Sequence, residues 1–97
     1  MNLKELLTKT VEEKASDLHI TAGSPPRIRK GGKLIPLSED NLDPEETRKI
    51  IESELSKVNK EKLSNKSEVD YSISVPGVSR FRVNVFNQRG NLAAAYR

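Results

Sequence analysis

The sequence predicts an α+β fold, a largely antiparallel sheet of about six strands with helices packed on one side. Two observations predict it. The elements read in the order helix, strand, hairpin, two helices, three strands, and the strand stretches alternate apolar and polar residues, so that one sheet face is apolar and the other wet. Ninety-seven residues suffice for one domain, 1–97. A chain of this length buries only about two-thirds of the surface that its unfolded form exposes.

Leu3, Leu6, Leu7 and Val11 fall at helical spacing, and Asn2 with Glu5 three positions on can cap the start, so a helix is expected over 3–14. Ala15-Ser16-Asp17 breaks it. Leu18–Thr21 alternates as a short strand, with Leu18 and Ile20 inward and Asp17, His19 and Thr21 on the other side; Ala22–Pro26 is a loop. Arg27–Lys30 and Lys33–Leu37 are expected as strands joined by Gly31-Gly32, which permits the left-handed dihedrals of a primed turn. The basic residues around this turn do not make a phosphate loop. The Gly-x-x-x-x-Gly-Lys-Ser/Thr pattern occurs nowhere in the chain, so it has no nucleotide-hydrolysing P-loop of its own.

Asp43-Pro44-Glu45-Glu46 is a strong helix start: Asp43 caps, Pro44 loses nothing at the first position, and acids occupy the electropositive first turn. Ile50, Ile51, Leu55 and Val58 are expected to supply the buried face. Asn59 is expected to cap a second, shorter helix that ends near Asn65 and contributes Leu63. The carboxylates of this region stand beside lysines and read as solvated surface.

Three strands complete the chain, Glu68–Val75, Ser79–Phe86 and Asn91–Arg97. The first sets Val69, Tyr71, Ile73 and Val75 against Asp70, Ser72 and Ser74, and Pro76-Gly77 then turns the chain. The second sets Phe81, Val83 and Val85 on the core face and Arg80, Arg82 and Asn84 on the other. After Phe86 the alternation slips, and Asn87–Gly90 reads as a turn. In the last strand Leu92, Ala94 and Tyr96 share one phase, and Ala93, Ala95 and Arg97 the other, so Arg82 and Arg97 are expected on one sheet face.

Charge is unevenly spread. Residues 1–37 hold seven bases and four acids, residues 38–78 six and ten, and residues 79–97 four arginines and no acid. The last group points to an anionic partner, because Arg bonds phosphate or carboxylate bidentately. No cysteine is present and His19 is the single histidine, which leaves no zinc cluster. Neither a membrane-length apolar run nor the basic and apolar start of a secretion signal occurs, so a cytoplasmic chain without membrane insertion is expected.

Two stretches carry a family resemblance. Residues 15–30, Ala-Ser-Asp-Leu-His-Ile-Thr-Ala-Gly-Ser-Pro-Pro-Arg-Ile-Arg-Lys, and residues 79–90, Ser-Arg-Phe-Arg-Val-Asn-Val-Phe-Asn-Gln-Arg-Gly, resemble the amino-terminal, PAS-like domain of the PilT-type secretion ATPases, the motors that retract type IV pili in twitching motility. The resemblance covers the whole chain. It implies a RecA-like core after Arg97, with the P-loop, ATP and Mg held there, so that 1–97 alone carries no cofactor, binds no metal and is no enzyme. It further implies a hexamer in which this domain packs on its own core and on the neighbouring subunit's, in the cytoplasm at the inner-membrane pilus base, beside the platform protein. By motif position Arg82 and Arg97 are the phosphate-contacting, catalytic fingers, Asp17 and His19 line a domain or subunit interface, and Arg80 and Arg89 are further interface candidates. Retraction, rather than pilus assembly or secretion, is what the spelling of both motifs favours.

Two other functions suit a basic α+β domain. A nucleic-acid module would use the arginine face, but Tyr71, Phe81 and Tyr96 are in phase with the core, which removes the stacking platform of sheet-based RNA binders. A stand-alone small-ligand sensor of PAS type would require an apolar cavity with converging polar groups.

Overall fold

A computed structural model describes residues 2–97. The elements are α1 (Leu3–Glu12), β1 (Asp17–Thr21), β2 (Arg27–Lys30), β3 (Lys33–Pro36), α2 (Pro44–Glu52), α3 (Lys57–Asn65), β4 (Glu68–Val75), β5 (Ser79–Gln88) and β6 (Asn91–Tyr96). All strand pairs are antiparallel, and the six form one open sheet in the order β3-β2-β1-β6-β5-β4. The α+β, PAS-like class expected from the element order is the one observed.

The pairing register aligns apolar residues in rows across the sheet. One row runs Tyr71, Val83, Tyr96, Leu18, Ile28, Ile35, and the next runs Val69, Val85, Ala94, Ile20. Leu3, Leu6 and Leu7 of α1, Ile51 of α2, Leu55 of the link between α2 and α3, and Leu63 of α3 close over these rows as one buried cluster. The helices therefore lie on one face. Among the described residues no helix is long and apolar enough to cross a membrane.

Several boundaries differ from expectation for local reasons. The Asn2–Glu5 capping box is present, but α1 stops two residues early, because Lys14 takes a left-handed conformation (φ 56°). Thr10, not Val11, completes the buried stripe. It sits at i+3 and i+4 from Leu7 and Leu6, its hydroxyl donates to the Leu6 carbonyl at 2.7 Å, and Val11, rotated to the rim, is 42% exposed. Ser56, not Asn59, caps α3, its Oγ accepting from the Asn59 N–H at 3.1 Å. Val58 thus falls in the first turn of a new helix and is 61% exposed rather than buried. The alternation after Phe86 does not slip: Phe86, Asn87 and Gln88 pair with Ala93, Leu92 and Asn91. The turn is the two residues Arg89-Gly90, both left-handed at φ 53° and 81°, as a primed hairpin turn demands.

The apolar face buries two phenols, and among the described residues neither the Tyr71 nor the Tyr96 hydroxyl has a hydrogen-bond partner. Burial, with the nearby Glu54 charge, pushes Tyr71 up to about 12. Burial pushes Tyr96 further still, aided by Tyr71 and Glu54. A raised folded-state pKa leaves the stability intact below about 10, the unfolded phenol value, and removes it as pH climbs toward the folded values. Alkaline unfolding is expected to begin above about pH 10. Since these are the only two tyrosines and there is no tryptophan, absorbance at the tyrosinate band should rise with loss of the far-ultraviolet dichroism. Titration of both phenols in a still-folded chain would contradict this.

Candidate arginine site on the open sheet face

The face turned away from the helices carries Arg80, Arg82 and Arg97, together with Asp17 and His19. Register places them in rows as it does the core. Arg82 of β5 and Arg97, which follows β6, exchange both backbone hydrogen bonds, Arg82 N–H to the Arg97 carbonyl at 2.9 Å and Arg97 N–H to the Arg82 carbonyl at 2.8 Å. In such a pair the Cα atoms stand about 5.5 Å apart and both side chains leave the same face. Two guanidiniums are thus adjacent, exposed, and without an ionic partner within 4.0 Å among the described residues. Like charges at this spacing repel, and an anion with several oxygens relieves the repulsion while taking a fork of N–H donors from each.

The row continues in both directions. Ser72 of β4 faces Arg82 on one side. On the other, Leu18 pairs with Tyr96, so the next step along the strands sets Asp17 beside Arg97, and Asp17 in turn pairs with Arg29 of β2. Asp17 is the hub of this half. Its carboxylate accepts from Ser16 Oγ at 2.6 Å and from His19 Nε2, and lies 3.7 Å from Arg29 Nε. Burial pushes this carboxyl up, but the hydrogen bonds from Ser16 and His19 and the charges of His19 and Arg29 together outweigh it and hold it below its ordinary value.

The remaining sequence candidates separate. Arg80 lies on the same face two residues before Arg82, opposite Ser74. Arg89 occupies the hairpin tip, seven residues from Arg82 along β5 and so about 23 Å away, and is not part of the cluster. His19 pairs with Ala95 on one side and Arg27 on the other. Arg29 and Arg27 were missed by sequence reading, since only pairing register reveals that they share rows with Asp17 and His19. One aromatic also lies on this face: Phe86 pairs with Ala93 and is half-buried. A single ring does not make a stacking platform. Among the described residues no group of three or more His, Asp and Glu could hold a metal ion.

No protein-family model matches the chain. Over 97 residues it is 36% identical to the type IV pilus retraction ATPase PilT of Pseudomonas aeruginosa, and over 89 residues 36% identical to the type IV pilus ATPase PilU of the same organism. It spans 28% and 23% of the lengths of these curated relatives. A crystal structure of the pilus retraction motor PilT with bound ADP matches all of the chain with a TM-score of 0.93 at 43% identity, the chain covering 29% of that protein. Along its whole length, in sequence and in backbone, the chain is similar to the amino-terminal part of PilT-type ATPases.

Proposed function

We propose that this domain is the mobile, arginine-donating part of a hexameric, ATP-driven motor that retracts type IV pili. The observation that carries this reading is the pair Arg82 and Arg97, held side by side by two backbone hydrogen bonds on the uncovered sheet face, with no acid among the described residues engaging either. The pair fits phosphate oxygens, whereas nothing in the sequence forms a P-loop to hold a nucleotide. ATP and Mg would therefore be bound by a RecA-like core elsewhere in the protein, and the arginines would reach the phosphates when the domain closes on that core. Arginines brought to a transferring phosphoryl group stabilise the charge that spreads over its oxygens.

Placing the arginines on a separate domain makes hydrolysis depend on domain position. ATP favours closure by the contacts it makes only in the closed state, and loss of the γ-phosphate releases it. In a ring, the open face would meet the domain's own core or the next subunit's, in the cytoplasm at the pilus base, where motion passes to the inner-membrane platform protein. Residues 1–97 alone should show no ATPase activity and should bind ATP no tighter than roughly millimolar, because two exposed arginines offset little more than the cost of association. Micromolar binding by calorimetry would contradict the reading of a lid without a nucleotide pocket.

A further inference from the structure

Three acids share the open face with the arginines, and each is engaged by some other group. Asp17 is taken by Ser16, His19 and Arg29. Glu68 and Asp70, at the β4 edge, are both held by one residue, Asn84, whose Nδ2 donates to them at 3.0 and 3.1 Å. Neither Arg82 nor Arg97 holds any of the three. This is not the arrangement that charge alone dictates, since an arginine flanked by a carboxylate on the next strand ordinarily pairs with it.

Asp17 stands closest to the pair by register, and it is the most constrained. Its side chain is only 10% exposed, against 30% for His19. The ring of His19, two residues on along the same strand face, bonds the carboxylate, and Arg29, its partner on β2, lies 3.7 Å from it. The depressed carboxyl of Asp17 agrees with a group whose charge is already satisfied by these partners.

Resting on the reading of Arg82 and Arg97 as phosphate contacts, we infer that His19 is a positioning residue, which keeps the Asp17 carboxylate occupied and so leaves Arg97 open to an incoming phosphate. Without the imidazole, Asp17 retains its charge and loses a donor, and two arginines flank it in register, Arg29 on β2, already 3.7 Å away, and Arg97 after β6, whose N–H groups have no ionic partner among the described residues. A captured Arg97 must then be released before it can meet a phosphate. Asn84 acts alike at the other end, holding Asp70 away from Arg82, its diagonal neighbour.

The inference separates from a merely structural role by which pairs of changes compensate. In the 97-residue chain without added anion, His19→Ala should shift the Arg97 side-chain Nε–Hε resonance and slow its exchange with water, as ion pairing does, and adding Asp17→Asn should reverse both. His19→Gln, which keeps a donor at the same reach, should behave as the unmodified chain. In the longer ATPase, His19→Ala should reduce turnover about two- to fivefold, the scale of one partly exposed ion pair, and Asp17→Asn in the same protein should restore it. An unchanged Arg97 resonance in His19→Ala, or a double variant slower than the single one, would overturn the inference. Should His19→Ala not fold, Asn84→Ala with and without Asp70→Asn asks the same of the Arg82 resonance. Failure of the parent reading shows separately: the Arg97 resonance responds as expected, yet Arg97→Ala leaves turnover untouched.

Discussion

Replacing Arg97 or Arg82 by alanine in the full ATPase is expected to lower ATP turnover by about 10³-fold or more, the loss that follows removal of an arginine from a phosphoryl-transfer site. Both side chains are exposed and unpaired among the described residues, so each variant of the 97-residue domain should keep its stability within about 0.5 kcal/mol. Their backbone hydrogen bonds to each other survive any substitution but proline. Lysine at either position should recover only part of the activity, because an ammonium offers charge without the planar fork. Steady-state hydrolysis decides the matter. Unmodified turnover in both alanine variants would remove the pair from the chemistry, and a loss accompanied by unfolding of the domain would reassign it to structure.

Leu18→Ala should be the most damaging single change to the fold. Leu18 lies on β1 at the middle of the sheet, is fully buried, and stands in the apolar row between Tyr96 and Ile28. Truncation leaves a cavity roofed by a helix layer that cannot collapse into it, at a cost of about 2–5 kcal/mol. For a domain of this size each kcal/mol lowers the melting temperature by roughly 4–8 °C, so the transition should fall by at least about 10 °C. Val58→Ala, at a position 61% exposed, is the control and should move it by less than about 3 °C. Equal shifts in the two variants, by calorimetry, would mean that the apolar row does not carry the stability assigned to it.

The open face was legible in proportion to how local its signals were. Strict alternation on β4 and β5 assigned Arg80, Arg82 and Asn84 to one side without any structure, and Pro76-Gly77 marked the turn, where Gly77 indeed takes φ 78°. The second turn was misread because Arg89 gives no sign of a left-handed residue, so two strand residues, Asn87 and Gln88, were counted as loop. Val58 and Asn59 were misassigned for a related reason. Apolar spacing continues across the break after α2, and spacing alone does not show where the chain changes direction.

The sequence by itself determined the class of the fold, the helix starts, which residues belong to each sheet face, and the two stretches that mark the PilT-type family. Each of these rests on interactions within a few residues: a cap three positions away, a period of two or of 3.6, a glycine that tolerates positive φ. Tertiary structure alone decided who stands beside whom. Arg97 stands beside Arg82, 15 positions away, through the β5–β6 pairing, Asp17 is held by Arg29 through the β1–β2 pairing, and the two halves join, Asp17 beside Arg97 from 80 positions away, only once β6 has inserted between β1 and β5. Register between distant strands is set by the sum of the buried rows on the opposite face, a one-residue slip of which would turn every arginine inward.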